Sequence, residues 1–319
     1  MNMRDWLQRI QNAKNRIDPW IIHTPLAPAL ELGEGNDQVF FKQETVQVTH
    51  SFKARGAFSK LTSLTREAQA LGVVAASSGN HGAAVAYGAK ALGTHAMVFV
   101  PNVADPSKVN RIRDLGAQVT QTGEDCIEAE AAARAYGELH GMTYISPYND
   151  PDVIAGQGTM ALEVLDAGPV PDAIIVAVGG GGLIGGIGAV FKSLHPATQV
   201  IAASPIESPA LHEALKVGHA VEIPSLPTWS DATAGGIEEG AITIPLCQEV
   251  ISESVLCSEE EIESACRDLL LVGHHLVEGA AGLAYAAYRK KAEALAGKRV
   301  VIILCGAAIS HQRIQELVS

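Results

Sequence analysis

Residues 173–186 read Ala173-Ile174-Ile175-Val176-Ala177-Val178-Gly179-Gly180-Gly181-Gly182-Leu183-Ile184-Gly185-Gly186. The first six form an unbroken apolar run of strand length, and such a run suits a parallel strand covered by helices on both faces. The glycines then turn the chain out of that strand and into a helix. Gln199–Ala203 and Arg299–Leu304 are runs of the same kind. Upstream, Val73–Ala76, Ala96–Val100, Gln118–Thr120 and Tyr144–Ser146 also read as strands. Helices are expected between them, near Ala83–Leu92, Ser107–Leu115 and Glu124–His140. Alternating strand and helix predicts an α/β protein with parallel-type open twisted sheets flanked by helices. The strand–helix–strand units fall into two sets, one over about residues 72–149 and one after it. Two domains follow, and the cleft between them is a favoured place for a small ligand.

Composition agrees with this and excludes other classes. At 319 residues and 47% hydrophobic content the chain can bury a large core. No apolar run approaches the length of a membrane-spanning helix, and no membrane partner is expected. The stretch 1–18 is mixed and polar with no apolar h-region, so it does not read as a secretory signal. Cys126, Cys247, Cys257, Cys266 and Cys305 are odd in number and include no CxxC pair. Reduced thiols and a cytoplasmic location are therefore expected. A formal charge of −12 argues against nucleic acid as a partner.

The glycine turn after residue 178 has two readings. Backbone amides at a strand-to-helix turn can approach an anion closely, and a helix N-terminus favours negative charge, which makes a phosphate site. The alternative is a glycine turn that lets helix and sheet pack closely. Gly180-x-Gly182-x-x-Gly185 matches the dinucleotide fingerprint, which raises an NAD-dependent Rossmann oxidoreductase. That fingerprint needs an acid about 20 residues on, yet the next strand ends in Ser204-Pro205, with Glu207 beyond it. A Walker lysine is missing as well. A cofactor with a single terminal phosphate fits better.

A second informative stretch is Gln47-Val48-Thr49-His50-Ser51-Phe52-Lys53-Ala54-Arg55-Gly56-Ala57-Phe58. Its apolar spacing predicts a helix capped by Ser51 or Thr49, with Lys53 in the first turn. The macrodipole is positive there and disfavours a cation. Lys53 is then either an ordinary solvated lysine or one meant to be neutral. Ser77-Ser78-Gly79-Asn80-His81-Gly82 is another strand–helix turn, either a capped polar turn or a ligand loop. No Gly-x-Ser-x-Gly elbow surrounds Ser77 or Ser78, which removes an esterase nucleophile. His274-His275 reads as ordinary helix rather than a metal pair, because adjacent helical residues point about 100° apart. Cys305, at the end of an apolar strand, is either a small core residue or a ligand-facing residue at a strand's C-terminal end.

Together, Ser51–Ala57, Ser77–Gly82, Ala155-Gly156-Gln157-Gly158-Thr159 and Gly179–Leu183 resemble the pyridoxal-phosphate-dependent threonine/serine dehydratase and serine racemase family. This is the fold type II, tryptophan-synthase-β-like family, and the motifs stand in its order over nearly the whole chain. The resemblance implies pyridoxal 5′-phosphate in the interdomain cleft, a large domain of residues 1–71 and 150–319, and a small domain of residues 72–149. It implies that Lys53 carries the cofactor as a Schiff base and acts as general base, with Phe52 beside the ring. Asn80 would bond the ring 3′-oxygen, and Gly179, Gly180, Gly181, Gly182 and Leu183 would hold the phosphate. Ser77, Ser78, Gly79 and His81 would surround the substrate carboxylate. Cys305 falls where the family places a group facing the pyridine nitrogen, and Glu278 matches a family acid near the cofactor. A thiol at that nitrogen disfavours full quinonoid character and so favours loss of a β-hydroxyl.

The implied activity is an ammonia-lyase (dehydratase) acting on L-threonine, L-serine or a related 3-hydroxy amino acid, as a homodimer. Ser78, on the face opposite Lys53, keeps serine racemase chemistry as the alternative. Departures from the family pattern carry further expectations. Ser204 and Ala210 stand where metal-binding members have acids, so no divalent metal is expected there. Tyr148 replaces the usual Phe or Asn and is expected to alter which β-substituent fits. The chain ends soon after the Cys305 strand, so no regulatory C-terminal domain and no feedback inhibition by isoleucine are expected. Gly306-Ala307-Ala308 replaces a commoner Gly-Gly-Asn, and His50 stands where many relatives have Gly.

Overall fold

The computed structural model describes residues 1–319. Its strands are β1 (Leu26–Pro28), β2 (Val39–Gln43), β3 (Val73–Ala76), β4 (Ala96–Val100), β5 (Gln118–Gln121), β6 (Thr143–Tyr144), β7 (Ala173–Ala177), β8 (Gln199–Pro205), β9 (Glu253–Cys257) and β10 (Val300–Leu304). They form a six-stranded sheet in the order β1-β2-β10-β7-β8-β9 and a four-stranded sheet in the order β5-β4-β3-β6. Every neighbouring pair is parallel except the edge pair β1–β2. The α/β class and parallel sheets expected from the apolar runs are therefore present.

The reason is visible in how the strands are buried. In β3 and β4, Val73, Ala75, Ala96, Val98 and Val100 face one apolar cluster, while Val74, Met97 and Phe99 face another. Successive side chains alternate between faces, and helices cover both, so an unbroken apolar run is what each strand needs. β7 and β10 are buried throughout in the same way at the centre of the larger sheet. Parallel strands require crossovers, and these bring the C-terminal ends of β2, β3, β6, β7 and β10 toward one cleft, the usual ligand position of such sheets.

Three strands escape a reading based on apolar runs. β1 is three residues long and ends in Pro28. β2 and β9 contain Lys42 and Glu253, and charge breaks their apolar pattern. One expectation is corrected. His274 and His275 are not helical: the helix Glu259–Leu271 stops before them and His274 takes φ +56°. The chain folds back there, with the His275 N–H on the Leu269 carbonyl at 2.7 Å, and the His275 ring meets Phe41 edge-on with centroids 5.4 Å apart.

Candidate active site

The lysine stretch is tied to the end of β10 before its helix begins. Ser51 bridges to Gly306, the Phe52 N–H donates to the Cys305 carbonyl at 2.9 Å, and the Ala307 N–H donates to the His50 carbonyl at 2.9 Å. This turn needs φ +59° at His50, a conformation that glycine takes without strain. The helix runs Lys53–Ser63 with Phe52 at the N-cap position. The Ser51 hydroxyl accepts the Lys53 N–H at 3.3 Å, while the Thr49 hydroxyl has no partner. Lys53 thus opens the first turn.

Lys53 Nζ donates to the Pro147 carbonyl at 2.8 Å and lies 5.0 Å from the Phe52 ring centroid. The side chain keeps some surface toward the cleft, but the protein around it displaces enough water to push its pKa down to about 8. Cys305 and Glu278 oppose that shift. Burial raises the pKa of both of these groups.

Asn80 starts the helix Asn80–Ala91 after β3 and crosses the cleft to Glu278. Its Nδ2 donates to Glu278 Oε2 at 2.7 Å and Oε1 at 3.0 Å, and its buried Oδ1 has no partner. Glu278 also accepts the Ala308 N–H at 3.2 Å, with Cys305 Sγ 3.9 Å away. The loop Ser77–Gly79 precedes Asn80 and is half-buried; the Ser77 hydroxyl accepts the Gly79 N–H at 3.1 Å. His81 lies apart from this set. It is buried, its Nε2 is 2.8 Å from the Ile145 carbonyl, and burial with Lys53 nearby pushes it down to about 3. The ring is neutral, and Nε2 carries the proton it donates to that carbonyl.

Beyond β7, the main-chain N–H groups of Gly179, Gly180, Gly181, Gly182 and Leu183 find no acceptor within the chain. Gly181, at φ +86°, is the N-cap of the helix Gly182–Leu194 and has no side chain to cap it. Unmet donors at a helix start are costly when enclosed and fit an anion. Close packing contributes as well: a Cβ on Gly180 would stand 2.4 Å from Tyr148 Cγ. The Tyr148 hydroxyl accepts the Glu238 N–H at 2.9 Å, and burial pushes its pKa up to about 12. The close-packing reading is met by Tyr148 on one side, and the free N–H groups that the anion reading needs remain on the other.

This donor set fits pyridoxal phosphate. An amine held near neutrality, an amide with an orphaned oxygen, a thiol kept protonated and a run of unpaired N–H groups meet the needs of its aldehyde, ring and phosphate. Ser204 is buried with an unpaired hydroxyl, Ala210 is buried, and no cluster of three or more His, Cys, Asp or Glu side chains has metal-binding geometry. Sequence reasoning missed the Pro147 carbonyl on Lys53 and the Glu238 N–H on Tyr148. Both are main-chain groups, which any residue type could supply.

The family model described as pyridoxal-phosphate dependent enzyme matches residues 17–306. The L-threonine ammonia-lyase of Thermotoga maritima is 36% identical over 314 residues, covering 98% of this chain and 78% of that protein. The processed form of threonine deaminase isoform 2 from Solanum lycopersicum superposes with a TM-score of 0.92 at 30% identity, over 99% of this chain and 92% of that one. Maize serine racemase superposes with a TM-score of 0.90 at 29% identity, over 98% and 96%. The fold is that of fold type II enzymes. The family match runs from before the lysine helix to just past the end of β10, taking in the lysine stretch, the Ser77–Gly82 turn and the glycine turn, and the chain belongs to the pyridoxal-phosphate-dependent enzyme family.

Proposed function

We propose that the protein is an ammonia-lyase that converts L-threonine, L-serine or a related 3-hydroxy amino acid to a 2-oxo acid and ammonia. The observation that carries this is Lys53, an amine with a pKa near 8 that opens on the cleft beside a protonated thiol. Bound pyridoxal phosphate supplies an electron-withdrawing ring that acidifies the substrate Cα–H. Gly179, Gly180, Gly181, Gly182 and Leu183 would hold its phosphate through their N–H groups, and Asn80 and Phe52 would orient the ring. Ser77, Ser78 and Gly79 receive the substrate carboxylate; for His81 the ring is already committed to a carbonyl, so its contribution is positional. Lys53 in its neutral form takes the Cα proton. Cys305, kept protonated by burial, would add no negative charge beside the ring, which favours loss of the β-hydroxyl. The hydroxyl leaves with a proton as water, and hydrolysis of the released enamine restores that water to give the oxo acid and ammonia.

A racemase is the second reading. The Ser78 hydroxyl is half-buried and makes no hydrogen bond within the chain, and the family resemblance puts it on the face opposite Lys53, where it would be free to move a proton. A panel of L- and D-serine, L-threonine, phenylserine and 3-hydroxyaspartate, assayed for 2-oxo acid and for inversion, separates the two. Inversion without oxo acid rejects the lyase, and binding of NAD with no lysine adduct rejects both. The Tyr148 ring beside Gly180 is proposed to set the β-substituent, which the same panel reads. A cytoplasmic homodimer is proposed from the unpaired cysteines and the family habit, and sedimentation tests the dimer. No helix is long and apolar enough to cross a membrane.

A further inference from the structure

The motif Ala155-Gly156-Gln157-Gly158-Thr159 and the arginine of the lysine stretch have no part in the chemistry above. In the fold they meet at the first turn of the helix Lys53–Ser63. The Gly56 N–H makes no bond to the Phe52 carbonyl four residues back and donates to Gln157 Oε1 at 3.1 Å. Gln157 is buried on the helix Pro151–Asp166. The two backbones touch: a Cβ on Gly156 would stand 2.4 Å from the Arg55 carbonyl oxygen and 2.7 Å from Gly56 Cα.

Arg55 is wholly buried. Its Nε and Nη2 each donate to Glu44 at 2.8 Å, its Nη1 and Nη2 donate to Glu163 at 2.5 and 2.9 Å, and Nη1 reaches the Thr159 hydroxyl at 3.2 Å. Lys42 completes the group with Nζ 2.5 Å from Glu163 Oε2. Two cations and two carboxylates cancel. A planar fork held by two carboxylates fixes the rotation of the helix about its axis, and at about 100° per residue that sets the direction in which Lys53 leaves.

We propose that Gln157, through the Gly56 N–H, and Arg55, through Glu44 and Glu163, are positioning residues that hold the first helical turn so that the Lys53 amine faces the cofactor. The inference rests on Lys53 as the attachment residue. It is tested with apoprotein loaded with pyridoxal phosphate and, separately, with pyridoxamine phosphate, which has the ring and phosphate but no aldehyde. In Gln157→Met, pyridoxamine phosphate affinity stays within about threefold of wild type. Attachment to Lys53, followed by visible absorbance and by mass after borohydride reduction, slows about tenfold or more, and kcat falls while KM is kept. Gln157→Glu, which keeps an oxygen facing Gly56, recovers most of the rate.

Attachment at the wild-type rate in Gln157→Met overturns the proposal, because the brace is then structural only. Equal loss of both ligands overturns it too, because the whole pocket has then collapsed. Should Gln157→Met not fold, Thr159→Val removes one partner of Arg55 and no charge; about a twofold slowing is expected, and none overturns the proposal. Failure of the functional reading looks different: wild type itself forms no adduct, or Lys53→Ala keeps it.

Discussion

Replacing Lys53 by methionine should stabilise the apoprotein near neutral pH, although it removes the residue on which the proposed chemistry depends. The pKa of Lys53 falls from 10.5 to about 8 on folding, chiefly through burial. Between those values the unfolded chain keeps a proton that the folded chain has released, so wild-type stability rises with pH at about 1.4 kcal/mol per unit. Across the window this amounts to about 3 kcal/mol, all of it a penalty on the folded state below pH 8 and gone above 10.5. Solvent reaching the cleft side of the amine trims it to about 2–3 kcal/mol. Against this, methionine abandons the Pro147 carbonyl, at a cost of about 1 kcal/mol. The variant should thus be more stable by about 1–2 kcal/mol at pH 7 and less stable by about 1 kcal/mol above pH 10.5. Urea unfolding of both apoproteins, followed by the fluorescence of the three tryptophans from pH 7 upward, measures the difference directly. A stability difference that does not change with pH, or a wild type more stable at pH 7, would refute the assignment of a neutral lysine.

Other perturbations test the surroundings of that amine. His50→Gly relieves the φ of +59° and is expected to stabilise the fold by about 0.5–1 kcal/mol after the entropy of the unfolded glycine is counted, read as a higher urea midpoint. Gly180→Ala drives a methyl into the Tyr148 ring and should cost about 1–3 kcal/mol, along with phosphate affinity in a cofactor titration. Adding Tyr148→Ala should recover part of both, and strictly additive losses would sever the link between the two residues. Glu278→Gln turns an amide N–H toward the donors of Asn80 and Ala308, for a loss of about 1–3 kcal/mol by thermal unfolding. Burial raises the Glu278 carboxyl above 4.5, so the folded state binds the extra proton and wild-type stability declines as pH climbs past that value. The glutamine variant should lack this decline.

What can be read ahead of the fold depends on whether a residue's signal is local. β7 and β10 are legible because burial on both faces requires an unbroken apolar run, and the glycine turn is legible because its conformation and its packing both reject a Cβ. Lys53 stands out for the same reason, as a cation at the start of its own helix. Lys42, Glu44, Arg55 and Glu163 have no such signal. A charged side chain in a sequence reads as surface, and nothing near Lys42 announces the carboxylate 121 residues away that allows its burial. The same blindness hides β2, whose pattern is broken by that lysine, and it misreads His274 and His275, where a helix is cut short so that the chain can deliver Glu278 to Asn80. Removing a single member of the quartet leaves a buried charge without its partner, which costs about 3–5 kcal/mol, whereas an apolar replacement of the whole set is often neutral. A group that is expensive to break singly and replaceable as a set is not explained by stability alone. Its place against the first turn of the lysine helix supplies the remaining reason under the proposed function, since an amine proposed to meet an aldehyde needs a fixed direction more than the protein needs four buried charges.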